Sequence, residues 1–238
     1  MQQQILVDVH VHTVASGHAY STINEVAQAA SQRGLQGVAM TDHGPALPGG
    51  PHPYHFMALR FLPREIAGVR VYSGVEANIL APGKLDLSPE ALDRLDVVLA
   101  GFHDDCGYEG TSVQEHTQAL LEVMRLPQVK IISHPGNPRF PVDYAAVVAE
   151  AKATGTALEI NSSSFRRSRL GSSPNCLELA RLCKEQNAPV AIGSDAHIAQ
   201  DVGQFTDALD ALQQVGLPLS QVVNRDVASL EAFLHRHG

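Results

Sequence analysis

The chain has 238 residues, 44% of them hydrophobic and 18% charged, with a net charge of −8 when histidine is neutral, an ordinary globular composition. That length allows one large α/β barrel or two small domains, either able to bury a sizeable core. The acidic balance argues against a surface that coats nucleic acid, while a nucleotide in a local pocket stays admissible. Aromatic residues make up 5% and Trp is absent, so a core of Val, Leu, Ile and Ala suits parallel strands covered by helices. Cys106, Cys176 and Cys183 contain no C-x-x-C pair, which implies no disulfide framework and a reducing compartment. Met1-Gln2-Gln3-Gln4 lacks the basic and apolar regions of a signal peptide, and no apolar run approaches the ~20 residues of a membrane helix. A cytoplasmic protein without membrane spans is expected. Twelve histidines are the compositional anomaly.

In chain order, Ile5-Leu6-Val7 leads into Asp8-Val9-His10-Val11-His12. The alternation predicts a strand with His10 and His12 on one face and Val9 and Val11 on the other. A small-residue loop follows. Ser21 or Thr22 can cap a helix that runs to Gly34, and Glu25 falls three residues after Thr22 as in a capping box. Gly37–Met40 is a short strand ending in Thr41-Asp42-His43-Gly44. The Pro- and Gly-rich stretch 45–63 is long for a compact domain and therefore a candidate functional loop; His52 and His55 within it read as supporting or surface groups. Strands follow over Val69–Asn78, ending near Glu76; Asp96–His103; Val129–Gly136, carrying His134; Thr156–Asn161; and Pro189–His197, carrying Asp195 and His197. Between them lie helices at Ser112–Met124, opened by a Ser112/Glu115 box, Tyr144–Ala153, Asn175–Gln186 with Cys176 and Cys183 as small core residues, Gln204–Val215 and Val227–Leu234. His235 and His237 at the end read as solvated.

The β–loop–α unit recurs about seven times at roughly 30-residue spacing, so one barrel-like parallel sheet over residues 1–238 is the economical architecture. In such a barrel the strand C-termini share one rim. The ligand-type residues His10, His12, His18, His43, Glu76, His103, His134, Asp195 and His197 all fall there. Any one of these histidines could be an ordinary capping or core residue. Seven imidazoles and two carboxylates gathered without metal would be a cluster of unmet hydrogen bonds. Nine ligands exceed the roughly four that one zinc takes and suit two or three ions. A nitrogen-rich set favours Zn²⁺, Mn²⁺ or Fe²⁺ over Mg²⁺.

The phrases His10-Val11-His12, Thr41-Asp42-His43-Gly44, Glu76, His103, His134-Pro135-Gly136-Asn137-Pro138 and Ser194-Asp195-Ala196-His197 together resemble the polymerase and histidinol phosphatase (PHP) family. His18-Ala19-Tyr20-Ser21-Thr22, Glu76-Ala77-Asn78-Ile79 and Glu159-Ile160-Asn161 are similar to its bacterial YcdX-type phosphatases. The resemblance covers nearly the whole chain and fills all nine ligand positions. It implies a distorted (β/α)7 TIM-like barrel with a trinuclear, zinc-type centre. By that pattern His10, His12, Glu76 and Asp195 would hold one ion, Glu76 with His103 and His134 a second, and His18, His43 and His197 the third. The stretch Asp104–Gly110 and the pair Arg166-Arg167 look variable and leave the substrate open.

The chemistry expected is hydrolysis of a small phosphorylated substrate by a metal-bound hydroxide, with the ions offsetting charge on the phosphoryl group. Glu76, Asp195 and His197 are the candidate catalytic residues. Arg166, Arg167 and Arg169 are candidate substrate-binding groups, because guanidinium matches phosphate geometry; a solvated loop is the plain alternative. Asp42 reads as a partner to a ligand histidine, and Asn161 and Ser164 as hydrogen-bond donors near the site or closures of their strand. Competing readings are an exonuclease or phosphodiesterase, a histidinol phosphatase, and a metal-binding accessory module without catalysis. Oligomeric state is open, because no helix carries an unmistakable exposed apolar stripe.

Overall fold

A computed structural model describes residues 5–166 and 168–235; Arg167 and His237 lie outside the described residues. The strands are β1 (Val7–Val11), β2 (Gly37–Met40), β3 (Glu65–Ile66), β4 (Val69–Ala81), β5 (Lys84–Leu85), β6 (Val97–Gly101), β7 (Ile131–Ile132), β8 (Ala157–Asn161) and β9 (Val190–Gly193). The helices are α1 (Ile23–Gln32), α2 (Tyr54–Ala58), α3 (Pro89–Leu92), α4 (Val113–Met124), α5 (Tyr144–Thr154), α6 (Ser172–Gln186), α7 (Thr206–Val215) and α8 (Val227–Leu234). Seven strands run in the order β1-β2-β4-β6-β7-β8-β9, all parallel, with β3 and β5 as antiparallel additions to β4. Both predicted capping boxes form: Thr22 and Glu25 open α1, and Ser112 and Glu115 open α4.

The ends of this sheet meet in a nearly closed barrel, the distorted (β/α)7 architecture expected. Asp195 N–H donates to His10 O and His12 N–H to Ala196 O, both at 2.9 Å. Below these contacts the seam between β1 and β9 is filled by side chains. Asn224, fully buried, accepts from Ile192 N–H at 3.0 Å and donates from Nδ2 to Val7 O and Ile192 O, each at 2.7 Å. Asp8, also buried, accepts from Ser194 N–H at 3.1 Å and Gly203 N–H at 2.8 Å. A carboxamide and a carboxylate thus replace ladder bonds that two backbones too far apart would leave unmade.

The core is layered. An outer shell puts Val38, Met40, Val98, Leu158 and Ile160 against helix residues such as Val26, Leu120, Val147 and Leu179. A smaller inner cluster fills the bore with Val7, Val9, Ala39, Val97, Leu99, Ile131, Ala157 and Ala191, stoppered from below by Leu230 and Phe233 of α8. Among the described residues no helix is long and apolar enough to cross a membrane.

The strands depart from the simple alternation in two places. Strict alternation puts Val9 and Val11 on one face, but Val9 packs in the inner cluster while Val11 packs in the outer one. The register explains this: Asp8 pairs with Val38 and Val11 with Met40, so β1 spends three steps where β2 spends two. This bulge resets the alternation, and a bulge beside a site re-aims side chains in this way. Secondly, β4 does not stop near Glu76 but runs on to Ala81 and turns back to pair with β5, which puts Glu76 in mid-strand.

Candidate metal centre

Glu76 sits inside the mouth of the barrel with no solvent exposure. Its Oε1 lies 2.6 Å from His134 Nε2 and 3.1 Å from His103 Nε2. Its Oε2 lies 3.0 Å from His43 Nδ1, 3.2 Å from His10 Nε2 and 3.5 Å from His12 Nε2. Five imidazoles from four strand ends therefore surround one carboxylate. Asp195 closes the set from β9: its Oδ1 is 3.2 Å from His12 Nε2 and 3.6 Å from His10 Nε2. Its Oδ2 accepts from Arg169 at 2.9 Å and Asn161 Nδ2 at 3.3 Å. One oxygen is thus satisfied by donors and the other turned toward the imidazoles.

Local backbone makes these placements possible. His134 and Asp195 follow short strands with φ of 33° and 57°, left-handed values that a non-glycine residue rarely adopts. Such outliers cost of order 1–3 kcal/mol each and concentrate where a side chain must be aimed. His43 leaves β2 with its N–H on Ser16 Oγ at 3.2 Å. His18 belongs to a loop stitched to the end of β9 by Tyr20 N–H donating to His197 O at 2.8 Å, and His18 Nε2 and His197 Nε2 stand 3.1 Å apart. His18 is exposed and the His197 side chain one-third exposed, whereas His10, His12, Glu76 and His134 are buried. The basin is closed at its floor and open at its lip.

All nine residues singled out in the sequence thus come together. Three trios have ligand atoms mutually within 4.8 Å: His10, His12 and Glu76; His43, Glu76 and His103; His12, His43 and His197. His12, His43 and Glu76 each belong to two of them. The donor chemistry fits cations. His43 Nδ1, Glu76 Oε2 and Asp195 Oδ1 are buried with no hydrogen-bond partner among the described residues. His10 Nε2 faces His12 Nε2 at 3.1 Å, an approach of two lone pairs unless a proton or a metal lies between.

Titration behaviour follows from this crowding. Burial disfavours charge on Glu76, but His10, His103, His43 and His134 outweigh it and hold its pKa well below the usual range. Asp195 is also held well below, because Arg169 and His10 overcome its burial. Burial opposes charge on His10, yet Glu159, Glu76 and Asp195 raise it well above 6.5. Burial and then His43 push His12 well below, and burial followed by Arg169 lowers His134 to about 4.

The supporting residues are mostly as read. Asp42 accepts from Ser16 Oγ at 2.6 Å, and Ser16 Oγ contacts His12 Nδ1 at 3.3 Å. Asn161 donates to Asp195, and Ser164 N–H and Oγ donate to Asn161 Oδ1. His52 is exposed, as is His235, and His55 lies 3.6 Å from Asp42. Of the arginines, Arg169 reaches Asp195, while Arg166 pairs with Asp207 beside a cavity of about 140 Å³ that Asp195 also lines. Glu159 and Asp8 were not singled out. Each is a carboxylate inside a mostly apolar strand, but what it binds comes from distant parts of the chain.

A family model described as PHP domain matches residues 8–165. A "Probable phosphatase" of Syntrophotalea carbinolica is 55% identical over 228 residues, spanning 96% of this chain and 95% of that protein. Another from Acetivibrio thermocellus is 47% identical over 234 residues, spanning 98% and 96%. Among solved structures, histidinol phosphate phosphatase from Lactococcus lactis, complexed with zinc, L-histidinol and phosphate, is similar with a TM-score of 0.68 at 18% identity, over 90% of this chain and 95% of that one. Likeness at that identity is a likeness of fold.

Proposed function

The chain belongs to the PHP domain family, and from this we propose that it is a metal-dependent phosphatase acting on phosphomonoesters of small molecules. The observation that carries the reading is Glu76, a buried carboxylate with five imidazole nitrogens within 2.6–3.5 Å of its two oxygens. His10, His12, Glu76 and Asp195 would hold one ion. Glu76, His103 and His134 would hold a second, and His18, His43 and His197 a third at the open lip. The nitrogen-rich donor set favours zinc, with manganese or iron(II) as substitutes. When bound, such ions supply Lewis acidity that activates water and offsets negative charge on a phosphoryl group.

The chain's own groups do the rest. Glu76 spans the first two ligand sets with its two oxygens. Arg169 and Asn161 hold Asp195 so that only Oδ1 faces the basin. Arg169 and Arg166 bring guanidinium groups to the rim, where they match the geometry of phosphate oxygens. His197, at the lip, has its Nδ1 3.0 Å from Asp195 O, so a proton there leaves Nε2 as an acceptor. The net charge of −8 favours a small ester over a long polyanionic track.

The test measures metal content and hydrolysis of p-nitrophenyl phosphate and of single-stranded DNA on one preparation, before and after chelation. Two to three transition-metal ions per chain, with monoester turnover lost on chelation and restored by Zn²⁺ or Mn²⁺, support the reading. Undiminished turnover in metal-free protein overturns it. So does stoichiometric metal with no phosphoester hydrolysed, which would favour an accessory module.

A further inference from the structure

Glu159 stands outside the nine residues, yet it touches two of them from β8. It is 1% exposed. Its Oε1 is 2.8 Å from His10 Nδ1, and its Oε2 accepts the backbone N–H of His134 at 2.8 Å and Asn161 Nδ2 at 3.2 Å. At that distance a proton on His10 Nδ1 completes the contact with Oε1 as acceptor. The other ring nitrogen, Nε2, is the one turned toward Glu76, His12 and Asp195. On its second oxygen Glu159 works through the backbone. The N–H it binds belongs to His134, whose left-handed φ of 33° sends Nε2 to within 2.6 Å of Glu76. β9 lies between β8 and β1 in the barrel, and Gly193 leaves room there: a Cβ at that position would overlap both the Glu159 carboxylate and His10 Cβ.

We propose that Glu159 is a positioning residue for the metal centre, fixing the His10 ring as its Nδ1–H form and holding the His134 backbone in its turn so that both Nε2 atoms face one basin. This rests on the reading that the basin holds metal, in that carboxylate partners behind ligand histidines set ring orientation and basicity. Arg169 and Asn161 serve Asp195 from outside; Glu159 differs in serving two ligands on separate strands.

The experiment compares wild-type and Glu159→Gln protein. The carboxamide of the variant could accept one of the two N–H groups but would direct its own amide protons at the other. Zinc affinity, read by competition with a chromophoric chelator, is expected to fall about 10–100-fold, with stoichiometry at saturating zinc unchanged and p-nitrophenyl phosphate turnover recovering in excess zinc. Histidine ¹⁵N spectra of metal-free wild-type protein, taken at a pH high enough that the His10 ring carries a single proton, must show that proton on Nδ1, a readout that stands even if the variant fails to fold. If wild-type protein binds no zinc, the phosphatase reading falls while the Nδ1 measurement still decides what Glu159 does to His10. Wild-type affinity in the variant, a lowered melting temperature with unchanged affinity, or an unprotonated His10 Nδ1 would each overturn the proposal.

Discussion

Replacing Asn224 with leucine keeps the number and branching of side-chain heavy atoms and removes the polar bridge across the β1–β9 seam. Three backbone groups lose a partner: Ile192 N–H, Ile192 O and Val7 O. An orphaned buried donor costs about 1–3 kcal/mol. Carbonyls with a second lone pair cost less, so a total near about 3 kcal/mol is expected. For a chain of this size about 1 kcal/mol shifts the melting point by about 2–4 °C, giving a fall of about 6–12 °C. Calorimetry on metal-free protein avoids the stabilisation that bound ions would add, and urea titration should show a lower midpoint with the slope m unchanged. A melting point within about 2 °C of wild type, less than the shift expected for 1 kcal/mol, would mean that the seam is held by other contacts and that the carboxamide merely fills space.

Glu76→Gln removes the charge between two ligand sets; bound metal should drop to one ion or fewer and turnover at least roughly a thousandfold, about 4 kcal/mol, and undiminished metal content with full activity would end the bridging assignment. Arg169→Met should raise KM for a phosphomonoester about tenfold, on the order of 1.4 kcal/mol of binding, with zinc stoichiometry maintained; an unchanged KM would leave Arg169 as a support for Asp195 alone. In metal-free protein the neutral forms of His134, His12, His43 and His18 are favoured by the fold, their pKa values being lowered. Stability from these groups is therefore full above about pH 6.5 and is lost as pH falls toward the folded-state value of about 4 for His134, on the order of 3 kcal/mol from that residue alone. His10, raised, acts in the opposite sense and only above that window. Melting points that stay flat from about pH 7 to about 4.5, across which these groups take up protons in the unfolded chain but not in the folded one, would contradict this.

Most of the nine candidate ligands are legible because they sit at or just past a strand end, and a parallel barrel gathers such ends whatever the packing details; Glu76, in mid-strand, and His18, in a loop, are reached through the family resemblance instead. Capping boxes at Thr22 and Ser112 were legible because their chemistry is local. What escaped was non-local. Nothing in Val9-His10 announces a bulge, since it arises from pairing with β2. The closure by Asp8 and Asn224 joins residues near opposite ends of the chain. Glu159 is silent as a charged residue until His10 and the His134 backbone arrive beside it. Arg166 reads as a free cation until α7 brings Asp207 to it.

Ser194 N–H reaches Asp8 across 186 positions, and the stopper helix α8 follows every strand it seals. A nascent chain emerging from the ribosome thus exposes the first two candidate ligands, His10 and His12, long before the strand that must lie beside them is made. Closing so distant a contact is entropically slow. The candidate constellation is therefore complete only once Asp195 and His197 have been translated, and a chain that stalls earlier leaves the apolar lining of the bore uncovered.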